Sequence, residues 1–222
     1  YKQTVLGVGW AVVQPLLAAG IFTIFFNRVA KIPSGSSNVP YPVMAYLGMA
    51  FWNSFSGALG TISNSLIASQ NVLTKVYFPR LIPPISAAAL SIIDFIFAIV
   101  VLFGLLAVYR VVPSLGGILL ILPSLALIIL ASLGAGIFFA ALNVKYRDVR
   151  SALPFIIQIG FFVTPVIYPI TMIPEKFQLY AFLNPATGAI SSVKAAMFGD
   201  SVNWLGLLIS WLSATVMLAI GI

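Results

Sequence analysis

Few residues in this 222-residue chain could do chemistry. Asp94 is one of four acids and the only ionisable side chain well inside a long apolar run. With Ser91 one turn before it, it could carry a proton or a cation in an ion-driven lipid or sugar carrier. The other reading is a protonated or hydrogen-bonded packing group, since no cation within the same run stands ready to pair with it. The chain has no His and no Cys. That removes the commonest general base and metal ligand, and all thiolate and disulfide chemistry. No G-x-x-x-x-G-K-[ST] loop is present to cradle nucleotide phosphates. A membrane enzyme such as a lipid-sugar transferase would want paired acids or a His near the interface, and lacks both.

The second group with chemical content is LTKVYFPRLIPP, residues 73–84. Val72, Leu73, Val76 and Tyr77 fall at helical spacings and make one short apolar face, with Thr74 and Lys75 opposite. Pro79 ends the pattern, because proline lacks an N–H and disfavours helix in the residue before it. The spacing predicts a helix of two or three turns closed by Phe78, Pro79 and Arg80, with Pro83 and Pro84 stiffening the elbow beyond. One reading is an interfacial helix held by Tyr77 and a snorkelling Lys75. The other is a docking helix that fills a groove on a cytoplasmic partner, with Tyr77 and Phe78 as anchors and Arg80 pairing with an acid.

The elements that carry these residues follow from composition. The chain is 61% hydrophobic and 7% charged, with mean hydropathy +1.13, against about 25% charged residues in a soluble domain. Most of the outer surface must therefore face lipid. The net charge of +7 is spread singly or in short clusters between apolar runs, which is the pattern of loops flanking spans and not of a nucleic-acid surface. Six runs approach the length a helix needs to cross a bilayer, about 20 residues. They cover 8–26, 41–65, 85–108, 117–142, 151–170 and 204–222. A barrel would show short alternating segments instead, and no internal repeat supports an inverted-repeat carrier. The chain opens at Tyr1 and closes within an apolar run, which reads as trimming at both ends. With a cytoplasmic N-terminus, Lys2, Lys75, Arg80, Lys145, Arg147 and Arg150 lie inside, and Arg28, Lys31, Arg110, Lys176 and Lys194 outside. The inner cations are the denser set.

Two connections are long. Residues 66–84 hold the patch above. Residues 171–203 are too polar for a full span, and Asn184-Pro185 divides them into two short pieces. Such a segment either dips into the membrane and returns, surrounded by protein or a water-filled cavity, or rests on the headgroups. Aromatic residues gather toward the outer halves of their runs: Phe22, Phe25 and Phe26 in the first, Phe51, Trp52 and Phe55 in the second, Phe161, Phe162 and Tyr168 in the fifth. They form an interfacial belt or a lining on which a sugar chain slides, since ring faces offer apolar contact to sugar C–H groups. Phe51 and Phe55, one turn apart, fit either.

YKQTVLGVGWAVVQPLL, NVLTKVYFPR, LNVKYRDVRSALPFIIQIGFFVTPVIYP and LNPAT, in that order, resemble the membrane (permease) subunits of polysaccharide-exporting ABC transporters of the O-antigen and teichoic acid type. The resemblance implies an all-α integral membrane fold with six transmembrane helices, a cytoplasmic coupling helix and re-entrant gate helices before the last span. It implies a homodimer in the bacterial inner membrane that forms a channel for lipid-linked polysaccharide. It also implies two separate nucleotide-binding ATPase subunits that hold the ATP and Mg, so that this chain carries no cofactor and is not itself an enzyme. Carried over, the coupling helix is Asn71–Arg80, with Val72, Leu73, Lys75, Val76, Tyr77, Phe78, Pro79 and Arg80 meeting the ATPase. The gate lies around Asn184 and Pro185. The channel is lined from the first and fifth spans by Trp10, Phe22, Phe25, Phe26, Phe161, Phe162 and Tyr168. Drug or small-lipid export by the same architecture is the alternative within the class.

Overall fold

The computed structural model describes Val13, Leu17, Gly20, Ile21, Ile24, residues 39–73, Lys75 and residues 79–222, with backbone alone at 72, 73 and 147. The described residues form helices and no strand. Of the expected first span, Val13, Leu17, Gly20 and Ile21 are helical and exposed; Trp10, Phe22, Phe25 and Phe26 lie outside the described residues.

Helix α1, Tyr41–Ala68, opens behind Pro40 and is largely enclosed: Val43, Tyr46, Leu47, Phe51 and Ile62 are buried completely or nearly so. The short α2, Gln70–Leu73, follows after Ser69. Helix α3 covers Ile82–Val108. It begins before residue 85, so Pro83 and Pro84 stand in its first turn and not in an elbow ahead of it. First-turn N–H groups have no intrahelical partner, so proline costs nothing there. Helix α4, Leu115–Lys145, is capped by Ser114, whose hydroxyl accepts from Gly117 N–H at 3.0 Å.

Only Tyr146, in an extended conformation, separates α4 from α5, Arg147–Val163. The fifth apolar run was expected to be helical to residue 170, but α5 stops at Val163. Thr164 is extended, with ψ of 139°, the conformation that proline favours in the residue before it, whereas Pro154 is carried inside α5. A 3-10 turn at Ile170–Met172 leads to α6, Glu175–Ala181, and α7, Pro185–Phe198. Gly199 then takes φ of +86°, the left-handed C-cap position that suits a residue without Cβ. The last helix is α8, Trp204–Gly221.

Helix α1 packs on α3 and α4, and α4 in turn packs on α7 and α8. Lipid tails are as apolar as leucine, so side-chain fit and interhelical hydrogen bonds hold such helices together. Tyr46 O–H donates to Ala98 O (3.2 Å) across α1 and α3. Ser132 O–H reaches Phe55 O (3.3 Å) and Asn143 N–H reaches Ser63 O (2.8 Å) across α1 and α4. Each such bond contributes about 0.6 kcal/mol.

Helix α3 has one packed face and one exposed face, and both are apolar. Ala88, Ser91, Phe95, Ala98, Leu102 and Leu106 recur at helical spacing and are buried, while Ile85, Leu90, Ile93, Ile96 and Val100 are just as apolar and exposed. Apart from Asp94, that outer face carries none of the charge that a helix in water would show. Three helices among the described residues are long and apolar enough to cross a bilayer: α3, α4 and α8. The second and fifth expected spans correspond to α1 and α5, whose runs are softened by Asn53, Ser54 and Ser56 in one and by an early stop in the other.

Candidate functional site

At one end of the bundle the chain turns repeatedly between α5 and α8, and polar side chains converge there. Helix α5 ends in the middle of an apolar run, so its last carbonyls lack the amides that a continuing helix would supply. Tyr168 folds back, its hydroxyl 3.0 Å from Phe162 O and 3.1 Å from Val163 O. Lys194, from the third turn of α7, donates to Pro165 O at 3.1 Å and to Val166 O at 2.7 Å. A cation at the carbonyl end of a helix also meets the negative end of its dipole.

Lys194 is 7% exposed, and among the described residues its partners are these two neutral carbonyls. Helix α7 is not one of the spans, and its burial lowers the Lys194 amine from the ordinary lysine range to about 7. Gly48 on α1 makes the arrangement possible. A Cβ there would run into the Val166 carbonyl and stand 3.0 Å from Lys194 Nζ.

Asn184 does two jobs where α6 turns into α7. Its carbonyl accepts from Ala186 N–H at 3.1 Å, capping α7, and its amide donates to Thr164 Oγ1 at 2.7 Å. Pro185 follows as the first residue of α7 and is buried. The tip of this hairpin lies well along α8: Ser210 O–H donates to Phe182 O (2.7 Å) and Ser213 O–H to Leu183 O (2.6 Å). Tyr41 O–H, from the start of α1, donates to Ile167 O at 2.7 Å. The connection after α5 is thus held from α1, from the hairpin tip and from α7. A cavity of about 280 Å³ remains between it and α7.

The other residues singled out by sequence are distributed as follows. Phe51 is fully buried, edge-on to Phe95 at 4.8 Å. It packs inside the α1–α3 contact and offers no open wall, because its turn of α1 faces α3. Phe55 stacks obliquely on Trp52 at 5.5 Å, and Phe161 meets the same indole at 5.9 Å. Phe162, 57% exposed, meets Phe161 edge-on at 5.3 Å. In the other long connection, Asn71, Lys75, Pro79 and Arg80 are exposed. Val72 and Leu73 end α2, and Val76, Tyr77 and Phe78 lie outside the described residues. Asp94 sits on the exposed side of α3, away from the cavity.

Lys194 is the residue that sequence reading missed: it entered there only as one external charge among several. A signal was present. Ala186, Ala189, Ile190, Val193 and Met197 put a broad apolar face along one flank of a helix over 185–198, and Lys194 stands at its edge beside Ser191.

Residues 1–198 match the ABC-2 type transporter family. Over its whole length the chain is 29% identical to an O-antigen export system permease protein RfbA of Klebsiella pneumoniae, covering 84% of that protein. It is 27% identical to the protein of the same name from Myxococcus xanthus over 89% of this chain and 75% of the relative. To the polysialic acid transport protein KpsM of Escherichia coli it is 21% identical, over 91% and 80%. Several membrane-type helices, a turn-rich hairpin before the last one and a family match over most of the length agree: the chain belongs to the ABC-2 type transporter family.

Proposed function

We propose that this protein is the channel-forming permease of an exporter that moves lipid-linked polysaccharide outward across the bacterial inner membrane. It works as a homodimer driven by a separate pair of ATPase subunits. The observation that carries this reading is full-length similarity to permeases named for O-antigen and polysialic acid transport. The absence of a phosphate-binding loop from the sequence agrees, since the energy must then come from elsewhere.

In this reading there are six spans, the first over residues 8–26, followed by α1, α3, α4, α5 and α8. The α6–α7 hairpin is a re-entrant gate on the external side. Support for its depth comes from Ser213, in the third turn of α8, bonding to the hairpin tip; at 1.5 Å per residue that lies on the order of 14 Å below the start of α8. Backbone at such depth needs internal partners, and Asn184, Ser210 and Ser213 provide them. The opposite end, with Lys75, Arg80, Lys145 and Arg150, is cytoplasmic by the positive-inside rule. There the segment 71–80 docks in a groove of the ATPase and passes its closure into α1 and α3, which flank it. Phe161, Phe162 and Tyr168, with the aromatics of the first span, line the path of the glycan.

Co-purification with a cytoplasmic ATPase, and stimulation of its hydrolysis by lipid-linked glycan, test the assignment. The Tyr77→Ala, Phe78→Ala double variant should lose partner binding or uncouple hydrolysis from export. Normal export with the partner retained would remove the coupling role, and transport without any ATPase would overturn the whole reading.

A further inference from the structure

The cavity beside α7 has a composition that points to a particular ligand. Its volume, about 280 Å³, is near the lower end of ligand sites, roughly 300 Å³. It suits one small ring and excludes a chain. Thr171, Asp200 and Ser201 on its wall are exposed, so it opens at the bundle end where α5 breaks.

Lys194 lines it from within. An ammonium has three N–H donors, and the carbonyls of Pro165 and Val166 take two. When protonated, this buried amine with neutral partners favours a further oxygen acceptor. Asp200 lines the same cavity and supplies an acceptor for hydroxyl protons. Its charge disfavours a phosphate or carboxylate ligand. Ser191 and Ser201 add hydroxyls, and the Tyr168 ring adds an aromatic face. One donor cation, one acceptor carboxylate, hydroxyls and an aromatic wall form a set suited to a neutral polyhydroxylated ring. Fewer than three metal-ligating side chains gather anywhere among the described residues, so a metal ion is not the natural occupant.

We propose that this cavity is a subsite for a single neutral sugar residue, in which the ring bridges Lys194 of α7 and Asp200 in the turn that follows. This rests on the polysaccharide-export reading and names where an exported glycan first meets the gate. A sugar there links α7 to the connection after α5 through the same lysine that already holds that connection, so occupancy and gate position are coupled.

The purified transporter with its ATPase partner, in lipid nanodiscs, is probed by saturation-transfer NMR with free glucose, galactose and N-acetylglucosamine, and separately with inorganic phosphate by broadening of its 31P line. Ser201→Trp fills the mouth and Asp200→Asn removes the carboxylate charge; both positions are exposed, so the fold is retained and checked by unchanged unfolding temperature. At least one sugar should give transfer in the wild type. The signal should vanish in Ser201→Trp and weaken about tenfold in Asp200→Asn, the loss expected for a hydrogen bond to a charged group. No transfer from any of the sugars, transfer unaltered by both variants, or binding of phosphate alone would overturn the subsite. Glycan-stimulated hydrolysis in the same samples separates the two readings. Stimulation without sugar in the cavity removes only the subsite, and sugar in the cavity without stimulation removes only the export reading.

Discussion

The two long connections of this protein use their polar residues in opposite ways. Between α5 and α8, Asn184 and Lys194 turn inward, and their bonds to Thr164, Pro165 and Val166 stitch the hairpin to the broken end of a helix. Between α1 and α3, Lys75 and Arg80 are exposed and α2 is a single turn. The same residue type, lysine, is a buried tie in one connection and a surface charge in the other. What separates them is the neighbourhood. The α7 lysine is enclosed where α7 packs on α1, α4 and α8, and it faces carbonyls that have no other donor among the described residues. The connector lysine has neither. The connection after α5 spends its polar groups on its own internal geometry, whereas the one between α1 and α3 leaves Lys75 and Arg80 outward.

Substitutions at the inward connection should therefore act on stability first. Gly48→Val should have the largest effect, about 3 kcal/mol, since a side chain there meets the Val166 backbone, which cannot rotate away. The loss is read as a lower unfolding temperature in detergent. Lys194→Met should follow, at about 2 kcal/mol, because it leaves two buried carbonyls without donors. Asn184→Ala removes a cap and the Thr164 bond and should cost about 1 kcal/mol. An export assay on this variant should also show leakage of small solutes through a loosened gate. At the outward connection the order reverses. Lys75→Ala and Arg80→Ala should change stability by less than about 0.5 kcal/mol, yet weaken binding of the ATPase partner in a pull-down titration. If Arg80→Ala unfolded the protein while Lys194→Met left it unchanged, the contrast between the two connections would be lost.

Much of the architecture was legible before any coordinates. Runs such as 85–108 and 117–142 are too long and too apolar for anything but helices in lipid, and α3 and α4 follow them closely. The Asn184-Pro185 pair marked a break correctly, because proline acts on its immediate neighbours; the residues before Pro79 lie outside the described residues. Other points were not legible. The fifth run looked continuous to residue 170, though Pro165 carried the signal that stops α5 at Val163. Pro83 and Pro84 read as an elbow, but whether a proline precedes a helix or opens it depends on where the first turn is stabilised by contacts. Phe51 fitted a belt or a lining equally, and its place against Phe95 comes from how α1 and α3 rotate about their axes. Hydropathy carries no information about that rotation when every face is apolar.

Sequence alone determined that this is a helical membrane protein whose 222 residues hold no cysteine and no histidine, since those follow from composition and local pattern. The tertiary structure decided what Lys194 is for. Its partners lie on a segment almost thirty positions earlier in the chain, brought within 2.7 Å by the break in α5, the missing side chain at Gly48 and the return of α7 along α4. Each is a local feature, but only their meeting in space turns one external charge into the tie that holds the hairpin.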